Sequence, residues 1–128
     1  MNTRFSRSLV LAAALLVGSP AFLSAVEPAK GDAALVAKIF SAIENSDYVA
    51  FVADGDAPFK QLKKEQFDAV SAKVAPKLLA GHELSYLGDL KQHGYHVTLW
   101  KVTFKDGGDD ALATLSVKDG KVGGFFIR

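Results

Sequence analysis

The sequence predicts an α+β fold in which N-terminal helices pack on a curved four-stranded antiparallel sheet. Apolar residues recur every three or four positions as far as Leu78, then alternate from His82 onward. The alternating half is cut by short Gly-containing turns, of which Lys118-Asp119-Gly120-Lys121 is the strongest hairpin signal. Helices first and closely linked strands afterwards mean a meander with helices over it.

Residues 1–25 read as a secretory signal peptide. Arg4 and Arg7 give a basic start, Leu9 to Val17 is an unbroken apolar run, and Gly18-Ser19-Pro20 breaks it before small residues. The run is shorter than the roughly 20 residues a membrane span needs. Cleavage is expected after Ala25, with Ala21 as the second choice, which places the protein in the periplasm or the medium. Val26 to Gly31 reads as a short flexible arm, and residues 32–128 as one domain.

Asp32 is a fitting N-cap for a helix to about Asn45, whose Val36, Ile39, Phe40 and Ile43 form one apolar stripe. Ser46 or Asp47 caps a shorter helix through Tyr48, Phe51 and Val52, ended by Asp54-Gly55-Asp56-Ala57-Pro58. A third helix starts near Lys63 and carries Phe67, Val70, Val74 and Leu78. Pro76 is expected to kink or end it, and Gly81 to stop it. Four strands follow at about 82–90, 95–104, 111–117 and 122–128.

Register follows from the turns. A two-residue turn at Asp119-Gly120 pairs Val117 with Val122, Leu115 with Gly124 and Ala113 with Phe126. A four-residue loop at Lys91-Gln92-His93-Gly94 sets Leu90 opposite Tyr95 and Asp89 opposite His96. On the second strand His96, Thr98, Trp100, Val102 and Phe104 share one face, and Tyr95, Val97, Leu99, Lys101 and Thr103 the other. Neither set is cleanly polar, so both faces are expected to lose water while helices cover one. The uncovered face suits a ligand, a partner chain or a homodimer through the sheet, or is simply tolerated exposed apolar area.

Composition narrows the function. The leader holds two of the 15 basic residues and none of the 14 acidic ones, so the remainder is close to neutral. Nucleic acid and anionic membrane need a concentrated positive field, and neither is expected as a partner. The absence of cysteine excludes disulfides, thiolate metal sites and a cysteine nucleophile. Stability must come from an apolar core, for which nine Phe are available.

The helices-then-meander layout, with Tyr86-Leu87-Gly88, Trp100-Lys101-Val102-Thr103-Phe104 and the Val117-to-Phe125 hairpin, resembles the nuclear transport factor 2-like (cystatin-like) superfamily. In particular it is similar to that superfamily's small exported members of unassigned function. The resemblance covers residues 32–128 and implies a cavity between sheet and helices as the functional place. Enzymes of the superfamily set an Asp, Glu or His base there, but no such motif matches a position in this chain.

The candidate ligand-binding residues are Trp100, Tyr48, Tyr86 and His96, whose rings combine apolar area with a polar tip. Trp100 reads first as a core anchor and only second as a pocket wall. Asp89 beside His96 has the make-up of a general-base dyad, yet the pair sits near a hairpin end, where a surface hydrogen bond is the plainer reading. His82 and His93 are expected at solvated turns. His93-Gly94-Tyr95-His96, Asp54-Gly55-Asp56 and Asp106 to Asp110 each lack a full ligand set, so no metal and no cofactor is expected. No serine stands in a nucleophile setting. The expected role is non-enzymatic binding of a small apolar ligand or a protein partner. The alternative is a small cavity enzyme of isomerase, dehydratase or hydrolase type with a His or Asp base.

Overall fold

A computed structural model describes residues 27–128. The leader, its two cut sites and Val26 lie outside the described residues. Four helices, α1 (Lys30–Glu44), α2 (Tyr48–Val52), α3 (Ala57–Lys60) and α4 (Lys64–Leu79), precede four strands. These are β1 (His82–Gln92), β2 (Tyr95–Phe104), β3 (Ala111–Lys118) and β4 (Lys121–Ile127), antiparallel in the order β1-β2-β3-β4. The chain is therefore α+β with an open four-stranded meander and helices on one side of it.

Helix α1 starts two residues before its expected cap. Ala29 is the N-cap, so Lys30 and Gly31 belong to the helix rather than to a flexible arm. Asp32 sits in the first turn and is turned inward, 7 % exposed. The α1 stripe packs as its spacing predicts, with Val36, Ile39, Phe40 and Ile43 all buried. Asp47 caps α2 by accepting from the Ala50 N–H at 3.0 Å. Ser46 takes a left-handed backbone (φ 52°) and lies 2.9 Å from the Ser71 hydroxyl.

The Asp54–Pro58 stretch ends α2 as expected and then begins another helical turn. Asp56 accepts from the Phe59 N–H at 2.9 Å, and Pro58 stands in the first turn, where its missing donor costs nothing. Helix α4 continues past Pro76 to Leu79, so of the two expectations for Pro76, a kink or an end, the end is corrected. Near a helix end the ring removes one donor only, and the Pro76 carbonyl still accepts from Ala80 at 3.1 Å.

The buried face of α4 also differs from expectation. Phe67, Ser71, Ala75 and Leu78 are buried, whereas Val70 is 42 % exposed. Ser71 takes the inward place because its hydroxyl donates to the Ile43 carbonyl at 2.9 Å, tying α4 to the end of α1. The helices lie on the Trp100–Phe104 face of β2, where Trp100, Val102, Phe104, Ala113, Leu115, Val117 and Val122 complete one core. Val97 is buried apart from that core on the opposite face, which also exposes Leu90 and Phe126.

Two registers are corrected. His93 and Gly94 alone form the β1–β2 turn, with φ of 54° and 83°, so Gln92 pairs with Tyr95 and Lys91 with His96. Both positive φ values match a two-residue I′ connection, which is shorter than the expected loop. In β3–β4 the Asp119-Gly120 turn and the Val117–Val122 pair are as expected. A bulge at Gly123 then shifts the ladder, pairing Leu115 with Phe125 and Ala113 with Ile127. A second bulge at Leu87 separates the Tyr86–Trp100 pair from Gly88–Leu99. No helix among the described residues is long and apolar enough to cross a membrane.

Candidate functional site

A hollow opens between the helices and the outer strand β4. Pro58, Phe59 and Leu62 form one wall, Val70 and Phe67 on α4 continue it, and Gly123 to Ile127 form the other. Its volume is about 530 Å³, within the range of small-molecule sites. Gln61 and Gln66 supply the polar side chains, and the remaining lining is apolar.

An aromatic cluster floors this groove. Phe51 lies 4.8 Å from Phe67, 5.4 Å from Phe59 in a stacked arrangement and 6.1 Å from Phe125 edge-on. These are separations at which ring pairs attract beyond their area burial. At the bulge of β4, Gly123 lies against the Tyr95 ring. A Cβ there would collide with the Tyr95 ring, whose hydroxyl donates to Asp56 at 3.3 Å. The strand can follow this path only with glycine at the bulge.

The four candidate residues do not gather at the groove. Tyr48 packs on Phe67 at 6.0 Å and donates its hydroxyl to the Leu62 carbonyl at 2.5 Å, which holds the α3–α4 connection from behind. Trp100 is buried, and its indole N–H donates to Thr98 Oγ1 at 2.9 Å. Tyr86 leans on Trp100 at 5.2 Å. His96 borders a second hollow of about 400 Å³ with Lys91, Tyr95 and Lys118 at the hairpin end. His82 departs from the solvated-turn expectation: it stacks on Phe40 at 5.9 Å and lies 3.0 Å from the Leu78 carbonyl through Nδ1.

His96 has a carboxylate near each ring nitrogen. Nε2 is 2.5 Å from Asp89 Oδ2, and Nδ1 is 3.3 Å from the inward-turned Asp32. Tyr86 belongs to the same neighbourhood: burial raises its phenol above the ordinary tyrosine value, and the Asp89 and Asp32 carboxylates push it further. A general base needs a free nitrogen aimed at a substrate. Here each nitrogen faces a carboxylate, and the cluster joins the first turn of α1 to β1 and β2. Its chemistry is that of a clasp. Among the described residues no group of three His, Asp or Glu side chains is placed to hold a metal.

Sequence reasoning missed the groove and Asp32. Val70, on the α4 stripe by spacing, faces the hollow instead of the core. Phe59 and Leu62 carried a signal only as apolar residues in a segment read as a connection. No known protein family matches this sequence, and no curated protein does.

Proposed function

We propose that this chain is an exported binding module of the nuclear transport factor 2-like type that holds an apolar ligand without catalysing a reaction. The observation that carries the reading is the groove beside β4, apolar on both walls and floored by Phe51, Phe59, Phe67 and Phe125. Such a surface, left open to water by a monomer, favours an apolar occupant by roughly 25 cal/mol for each Å² it covers. The basic start and short apolar run of residues 1–25 support export, and the helix-covered meander supports the superfamily. The carboxylate beside each His96 nitrogen speaks against the cavity-enzyme alternative.

Titration with anilinonaphthalene sulfonate, a dye that brightens in apolar sites, tests the reading. The unmodified protein binds it saturably. Val70→Asp, which sets a carboxylate in the wall, weakens binding by about tenfold or more, since an unpaired charge in an apolar site is costly. Leu87→Asp, away from the groove at the exposed bulge of β1, leaves it unchanged. Equal loss in both variants, or no saturable binding, contradicts the proposal.

A further inference from the structure

We infer that the natural occupant of this groove is an extended peptide segment that adds to β4 as a fifth strand. This rests on the groove being the binding site and adds the class of ligand. The backbone of β4 carries the inference. Arg128 and Leu112 exchange both hydrogen bonds, at 3.0 and 2.8 Å. Antiparallel alternation then turns the N–H and C=O groups of Gly124 and Phe126 toward β3, and those of Phe125 and Ile127 away from it. Outside the sheet ladder the latter have no backbone hydrogen bond among the described residues.

The chain already seats one of its own segments on this edge. Val122 donates to the Asp54 carbonyl at 2.9 Å and accepts from the Asp56 N–H at 2.8 Å, and Gly55 pairs with Val122 in parallel. The segment then leaves the edge because Asp56 caps α3. From that point the chain turns into α3, and the groove lies between the α3–α4 segment and β4. A strand continuing the line of Asp54–Asp56 meets the donors and acceptors of Phe125 and Ile127 on one side. Its alternate side chains reach Phe59, Leu62 and Val70. A compact apolar molecule matches the walls alone, whereas a strand matches the walls and the edge together. The occupant is therefore an extended stretch with apolar residues at every second position.

Hydrogen exchange on the unmodified protein tests this. The probe is a capped octapeptide, Lys-Thr-Val-Thr-Val-Thr-Val-Lys, with two relatives N-methylated at every Val or at every Thr. The peptide is expected to displace the dye and to slow exchange of the Phe125 and Ile127 amides by about tenfold or more. One methylated relative, the one whose methyls face the edge, loses binding, and the other keeps it. Saturable dye binding without slowed exchange, or equal binding by all three peptides, overturns strand addition while leaving the groove as a site. Absence of both dye and peptide binding removes both proposals. Slowed exchange that grows with protein concentration and needs no peptide makes a second copy the occupant, and overturns the peptide assignment.

Discussion

His96 Nε2 lies 2.5 Å from Asp89 Oδ2 although the two residues are not opposite each other in the sheet. Asp89 pairs with Thr98, and His96 with Lys91, so the contact is a diagonal one across a single face. With Asp32 on the other ring nitrogen, the imidazole spans from the sheet to the first turn of α1.

His96→Leu removes the group that the inward-turned Asp32 faces. It is expected to cost about 1–3 kcal/mol, the penalty for a buried polar group left unmade. Asp89→Asn is expected to cost less than about 1 kcal/mol, because the Asp89 side chain is half exposed and solvent screens its contact with His96. Urea unfolding of both variants measures the difference. Equal costs contradict the clasp.

Tyr86 sets an alkaline limit. Its folded pKa is raised, first by burial and then by Asp89 and Asp32, above the ordinary value of about 10. The folded state therefore holds the phenol proton more tightly than the unfolded chain does. That contribution is complete below about pH 10 and is lost as pH rises through the folded value. Ultraviolet titration should show one tyrosine ionising late, absent in Tyr86→Phe, and Tyr86→Phe should lose less stability in that window. Unchanged late ionisation in Tyr86→Phe contradicts the assignment.

Trp100 is buried in the core, with Tyr86 packed on its ring. Trp100→Ala should cost about 3–5 kcal/mol, the range for deleting a buried aromatic ring. A loss below about 1 kcal/mol in chemical denaturation is the result that places the ring outside the core.

Gly123 and Tyr95 form a coupled pair. Gly123→Ala should destabilise by about 1–3 kcal/mol, because the new Cβ strikes the Tyr95 ring. In the Tyr95→Ala background the same change should cost much less, and a double-mutant cycle reads the coupling. Additive costs exclude it.

What could be read in the sequence was local. The α1 stripe is set by spacing within one helix, the limits of β2 by its alternation, and the Asp119-Gly120 turn by two residues. Each depends on neighbours within a few positions. The Gly123 bulge instead depends on a ring from β2, and Asp32 meets His96 only once α1 lies across the sheet. The groove is set by how far α3 and α4 stand from β4. Even the Asp89–His96 contact, expected from the sequence, forms through a different register: the shorter His93-Gly94 turn places the two residues diagonally. Such features follow from tertiary packing, and no local pattern encodes them.

Two-dimensional amide NMR of the protein titrated with anilinonaphthalene sulfonate tests the groove most directly. The shifts that move should cluster at Leu62, Gln66, Val70 and Gly123 to Ile127, with the outer sheet residues Leu90 and Val97 unmoved. Shifts confined to Leu90, Val97 and Leu99, or scattered over the whole chain, contradict a ligand site between the helices and β4.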